Sequence, residues 1–230
     1  MGEAILWYAI PIFPVSLLLY FIYHEAESKL KDYFVPLLLI LAFFGLWLGK
    51  VEVGGLQKFL ALLGSLFFTY LLYREENPFN WLFYYYGAFI ALSWFEPQKM
   101  FPYLVVGAFP IVALNLVLLR LKENVKVANF EDLAALSGFS SFVYLVSSVS
   151  VIMFLLVAPL HNFFFLFTKL NFFASLSFLL LWIAWLLSGV PRFVKMFIGF
   201  PKPGEYKSLT TPEVFLITAL VLISILFVVF

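Results

Sequence analysis

Between Asp132 and Arg192 the sequence contains one residue of the Asp, Glu, Lys and Arg set, Lys169, and everything around it is apolar or small and polar. A stretch of about 20 mainly apolar residues is enough to cross a bilayer as a helix. A charge at the bilayer centre costs about 2.5–3.5 kcal/mol on insertion scales, so a chain keeps one there with a partner, a wet cavity or a route to the interface. This stretch therefore points to membrane helices, and Lys169 is the residue within it that calls for a physical explanation.

The rest of the chain repeats the same rhythm. Apolar runs at 5–23, 33–49, 56–73, 79–95, 100–119, 138–159 and 212–230 are separated by short charged segments such as HEAESKLKD (24–32), REENP (74–78) and RLKENVKVANFED (120–132). The composition agrees: 64% of residues are hydrophobic and 12% charged, against about 25% charged in soluble domains. These runs predict an all-α, polytopic transmembrane bundle of about eight or nine spans. MGEAILWYAI at the start has no basic leader segment, and it is expected to be a retained first span.

The number of spans depends on residues 160–190. If that run crosses once, the total is about eight, and Lys29, Lys31, Arg74, Arg120, Lys122, Lys126, Arg192, Lys195, Lys202 and Lys207 fall on one side, which the positive-inside rule makes cytoplasmic, with both termini outside. If it breaks or re-enters near Asn171, the total is about nine and the basic loops divide between the two sides.

Several classes of chemistry find no support. With no cysteine and two histidines, the chain lacks disulfides, thiolate metal sites and a histidine-rich centre. A net charge of +1 gives no basic field for nucleic acid. No nucleophile elbow or phosphate-cradling glycine loop is present. No cofactor or metal is expected, and the chain reads as non-catalytic. The aromatic cluster Trp81, Phe83, Tyr84, Tyr85 and Tyr86 is expected to form a belt at the headgroup level.

In the run of 138–159, Ser141, Tyr144 and Ser148, with Ser137 before it, recur at helical spacing and share a face. They fit close helix packing with small polar glue first, and a hydrated lane beside Lys169 as the minor alternative. Lys169 itself has two readings. It can be a protonatable group whose pKa is lowered by desolvation, or a lysine whose long stem reaches back to the headgroups. His161, two residues after Pro159, is either a second relay group or an interfacial histidine. Glu131 and Asp132 precede a helix, where carboxylates favour the positive end of its dipole.

One order of motifs runs through residues 129–230. EDLAALSGF (131–139) is an acidic turn before a span that ends in AP (158–159); an aromatic segment ending FLFTK (165–169) leads into another span, closed by RFVKMFIG (192–199), and a final helix opens on PE (212–213). That order resembles the C-terminal part of the antiporter-like membrane subunits of respiratory complex I, membrane-bound hydrogenases and multisubunit cation/proton antiporters. In that family a D-x-x-G-L-like turn precedes a helix ending G-x-P, and a G-F-F-S-K-like segment carries a lysine or glutamate in a broken helix.

The resemblance implies a two-part chain, with N-terminal helices over 1–128 and antiporter-like helices over 129–230. It places the family's buried lysine at Lys169. From the residues themselves, His161 is the candidate second relay group, Ser141 and Ser148 are candidate supports, and helix breaks are expected near Pro159 and Asn171. The implied function is structural coupling within an energy-converting complex, with proton or sodium movement through Lys169. The implied partners are other membrane subunits and the lipid bilayer, in a prokaryotic cytoplasmic membrane. No counterpart of the family's histidine-rich segment or its glutamate–lysine pair occurs upstream, so the resemblance implies a member lacking at least one half-channel. The alternative is a stand-alone small transporter or a lipid-associated membrane protein.

Overall fold

The computed structural model describes residues 14–26, 30–31, 33–34, 53–95, 97–125, 129–130, 132, 172–195 and 209–229. Among the described residues the regular elements are all helical: α1 (Val15–Glu25), α2 (Gly55–Arg74), α3 (Pro78–Ser93), α4 (Pro97–Val125), α5 (Phe172–Val194) and α6 (Thr211–Val229). Two of them, α2 and α5, are long and apolar enough to cross a membrane, while α4 and α6 contain shorter apolar stretches, Gly107–Arg120 and Thr211–Ile223. Two such helices are described against the eight or nine spans expected. Most of the second run (33–49) and all of the sixth (138–159) lie outside the described residues.

The helix that organises the packing is α3. Its start is fixed locally: Asn77 Oδ1 accepts from the backbone N–H of Phe79 at 2.9 Å and of Asn80 at 3.2 Å, and Pro78 occupies the first turn, where its missing N–H costs nothing. The preceding turn is locked as well, because Glu75 Oε1 accepts from the N–H of Asn77 at 2.9 Å. From there to Ser93 every residue of α3 except Asn80 is buried, against α2 and α5 on one side and α4 on another.

This overturns the interfacial belt. Trp81 and Phe83 are fully buried, and Tyr84, Tyr85 and Tyr86 nearly so. A helix that is apolar all round belongs in the centre of a bundle, and buried tyrosine and tryptophan need partners for their polar tips. The partners are present: Tyr86 donates to the Leu104 carbonyl of α4 at 3.0 Å, and Trp81 Nε1 donates to Ser188 Oγ of α5 at 3.0 Å.

Small residues let α2 and α5 approach. On α2 the buried stripe is Ala61, Gly64, Ser65, Phe68, Thr69 and Leu72, which follows the spacing of one helix face. On α5 it includes Ala174, Ser177, Ala184, Ser188 and Gly189, and Ser177 Oγ lies 3.4 Å from Ser65 Oγ. The opposite face of α5 carries Phe172, Phe173, Leu176, Leu180, Ile183 and Leu187, all exposed. Six large apolar residues thus point outward, while the inward face mixes these small residues with Phe178, Leu181, Trp185 and Phe193, so α5 is apolar on both faces, unlike a helix on a water-soluble core, whose outer face is polar.

Two helices run further than the apolar pattern predicts. α4 continues past Leu119 to Val125, because the polar segment consists of good helix formers and Arg120 pairs with Glu123 one turn on. α5 continues through Pro191 to Val194; the proline forgoes the bond to the carbonyl four residues back and crowds that preceding turn, and the helix stops three residues later.

Candidate functional site

The helix directions gather the charged termini at one end. α1, α2, α4 and α5 finish there, while α3 and α6 start there. Arg192 Nη1, at the end of α5, donates to the Glu75 carbonyl at 2.6 Å, and Lys122 Nζ, near the end of α4, sits 5.4 Å from the centroid of Phe79 on the first turn of α3. Arg120 Nη2 is 3.6 Å from Glu213 Oε2, whose carboxylate also takes the N–H of Thr210, the residue before α6, at 2.6 Å. Lys31, beyond α1, donates from Nζ to the carbonyl of His24 in the last turn of that helix at 2.7 Å. These cations are among those that a single crossing of residues 160–190 would place together. Lys58, on the first turn of α2, lies at the opposite end, 6.0 Å from the Phe95 ring.

A cavity of about 170 Å³ opens in this charged end, lined by Glu76, Asn129, Phe130, Arg192 and Lys195. Three segments meet around it: the turn between α2 and α3, the short turn at 129–132, and the last turn of α5. The 129–132 turn is closed by Asp132, whose Oδ2 accepts from the Asn129 N–H at 3.1 Å and whose N–H donates to the Asn129 carbonyl at 3.0 Å. It is tied to the α2–α3 turn by the Phe130 N–H, which donates to the Glu76 carbonyl at 3.1 Å.

The floor of the cavity is aromatic. Phe130 meets Phe193 edge-on at 5.0 Å and Trp81 edge-on at 6.3 Å, and Trp81 meets Phe193 at 5.3 Å. The Arg192 guanidinium carbon lies 5.7 Å from the Phe130 centroid, within the range of a cation–π contact. The arginine is therefore held by a carbonyl on one edge and a ring below. Among the described residues no carboxylate pairs with it. Glu76, Asn129 and Lys195 form an exposed rim, and Phe130 is buried.

A second polar contact lies beside α1. His24 Nε2 is 2.6 Å from Tyr84 Oη, Tyr20 packs against the imidazole with ring centroids 4.4 Å apart, and Tyr23 donates to Asn80 Oδ1 at 2.8 Å. Burial first, and then the neighbouring Lys31 charge, lower the His24 pKa below its ordinary 6.5, with Glu75 and Glu25 opposing. In the neutral ring with its hydrogen on Nδ1, Nε2 accepts the Tyr84 hydroxyl hydrogen. Because the folded pKa lies below the unfolded one, this contribution to stability is complete above pH 6.5 and is lost as pH falls through the folded value. The thermal midpoint should decline as pH falls below 6.5, and His24→Gln should shallow that decline. An unchanged slope in the variant would assign the pH dependence to other groups.

The sequence-derived site residues Lys169, His161, Ser141, Ser148, Pro159 and Asn171 lie outside the described residues, as does Glu131. The site that the structure does assemble was not anticipated from sequence. Its one local signal is the spacing of Arg192 and Lys195, three apart and hence on one face at the end of a helix. Among the described residues no group of three or more His, Cys, Asp or Glu side chains lies close enough to hold a metal ion.

With the geometry in place, the described residues define an all-helical protein that has two helices suited to crossing a bilayer. No family model matches the chain. It is similar to an uncharacterized protein of Aquifex aeolicus (strain VF5), 29% identical over an alignment 222 residues long that covers 94% of each chain. No solved structure matches it.

Proposed function

We propose that this chain is a polytopic helical membrane protein acting as a structural subunit of an energy-converting, ion-translocating membrane complex. The observation that supports membrane residence is the outward face of α5: six large apolar side chains from Phe172 to Leu187 point away from the bundle and stay exposed. Such a stripe is unfavourable in water and natural in lipid. Lys31, Arg74, Arg192 and their neighbours at one end would face the cytoplasm. Phe130 and the end of α5 share that end, which favours one crossing by residues 160–190 and about eight spans in all.

Membership of a complex rests on the motif order over 129–230. The scaffold role fits the described core, whose buried polar side chains are serine, threonine and asparagine, with no charged one among the described residues. In this reading the ion path is confined to the segment around Lys169, and the described bundle holds that segment against neighbouring subunits. Protonation of Lys169 would respond to redox chemistry or ion movement in those neighbours.

The test is to recover the tagged protein in mild detergent and identify what accompanies it at fixed ratio. Hydrogenase-like, quinone-reductase-like or antiporter subunits are expected. In that complex Lys169→Ala should leave assembly intact and abolish most of the ion translocation. Recovery of the chain alone would replace the subunit reading with that of a stand-alone transporter, and unchanged translocation in the variant would reduce Lys169 to an anchor.

A further inference from the structure

We propose that the cavity between the α2–α3 turn, Phe130 and the end of α5 binds a phosphate ester, supplied by the headgroup of a membrane phospholipid. The lipid source rests on the membrane reading above; the anion chemistry rests on the cavity alone.

Charge and donor type argue for it. Arg192 carries five N–H donors in a planar fork suited to phosphate, and one is engaged by the Glu75 carbonyl. Ring contact and carbonyl together fix the guanidinium before any ligand arrives, which removes ordering cost from binding. Lys195 adds a second cation on the same rim, and Asn129 adds a neutral amide. A tetrahedral group with several acceptor oxygens can be met by the guanidinium N–H bonds that Arg192 does not spend on the Glu75 carbonyl. Glu76 brings the formal charge of the lining to +1, which matches the single negative charge of a phosphodiester.

Size and position restrict the ligand further. At about 170 Å³ the cavity is smaller than the roughly 300–1,000 Å³ of clefts that take drug-sized molecules. A nucleotide or a peptide would exceed it, whereas one headgroup phosphate fits. The cavity also lies at the basic end of the bundle, where inter-helix pockets on a cytoplasmic side meet anionic headgroups. Neutralising the α5 dipole explains cations near its last turn. It does not explain why they line a cavity with an aromatic floor.

The experiment uses the full-length protein in dodecyl maltoside, titrated separately with dihexanoyl phosphatidylglycerol, dihexanoylglycerol and inorganic phosphate, with the thermal midpoint as readout. The phospholipid should raise the midpoint and the phosphate-free diacylglycerol should not. Arg192→Gln and Lys195→Gln should each weaken the apparent affinity at least about tenfold, the loss of one charge-assisted hydrogen bond. Glu76→Gln should strengthen it, an inversion of sign that general lipid solvation would not produce. Because Arg192 also ties α5 to Glu75, the Lys195 and Glu76 variants keep the test decisive if Arg192→Gln fails to fold.

Equal stabilisation by inorganic phosphate would keep the anion site and reassign its source to free phosphate. Equal stabilisation by dihexanoylglycerol, or affinity unchanged in all three variants, would overturn the proposal. The membrane reading is checked separately in the cysteine-free chain, with Lys195→Cys and Gly54→Cys labelled by an impermeant maleimide in oriented vesicles. Labelling from opposite faces upholds it whatever the cavity binds, and labelling of both from one face would remove the lipid source.

Discussion

Trp81→Ala is expected to cost at least about 2 kcal/mol of stability, and up to about 5, measured by thermal or dodecyl sulfate unfolding in dodecyl maltoside micelles. Trp81 is completely buried, lies parallel to Tyr85 at 5.6 Å and forms the base beneath Phe130 and Phe193. Large aromatic-to-alanine changes in water-soluble cores cost about 3–5 kcal/mol, of which one part is transfer from water and another the cavity left behind. In lipid the transfer part shrinks, because the surroundings of an unpacked helix are already apolar. The cavity and the lost hydrogen bond remain. Ser188 Oγ keeps its own donor bond to the Ala184 carbonyl at 2.6 Å, so it loses an acceptor role and is not orphaned.

Trp81→Phe separates the two contributions, since it retains most of the ring area and removes the bond to Ser188. It should cost about 1 kcal/mol. If the alanine variant stayed within about 0.5 kcal/mol of the wild type, the range of an ordinary surface change, α3 would not be the centre of the bundle.

Run length located several elements closely. The apolar windows at 56–73, 79–95 and 212–230 correspond to α2 at Gly55–Arg74, α3 at Pro78–Ser93 and α6 at Thr211–Val229, since charged turns and Pro78 punctuate them sharply. The windows failed where polarity and helix ending part company. Arg120 to Val125 is polar and still helical, and Pro191 lies inside α5. Apolarity along one chain also cannot distinguish burial by lipid from burial by other helices. That ambiguity is why the rings of Trp81 to Tyr86 read as a belt, although an aromatic run with apolar residues on every face is also how a central helix looks.

The cavity was less legible still. Arg192 and the Glu75 carbonyl that it grips are 117 positions apart, and Phe130 sits in a polar segment where a lone aromatic gives no sign of its partners. Only the three-residue spacing of Arg192 and Lys195 was visible beforehand. The residues on which sequence reasoning concentrated, Lys169 and His161 among them, occupy a segment outside the described ones, so the anticipated relay and the observed cavity are independent hypotheses.

Gly189→Ala tests the closest approach in the bundle. A Cβ at this position would lie 2.6 Å from Cζ2 and 2.9 Å from Cη2 of Trp81, closer than carbon atoms can pack, and the indole is pinned by Ser188, Tyr85 and Phe193. In an isolated helix the same substitution would help by about 1 kcal/mol, because glycine is a poor helix former. Overpacking a rigid core costs about 1–3 kcal/mol and sometimes more, so the net effect is destabilisation, larger for Gly189→Val. At Gly87 the added Cβ would stop 3.4 Å from the Phe68 ring, an ordinary contact, which makes Gly87→Ala the matched control with a small effect. The decisive comparison is the double variant Trp81→Ala with Gly189→Ala. With the indole gone the new methyl enters the space it vacated, so the combined loss should fall short of the sum of the single losses by about 1 kcal/mol or more. Strict additivity would mean that α5 and α3 do not meet at this pair, and the aromatic floor of the cavity, which rests on the same contact, would have to be rebuilt from other residues.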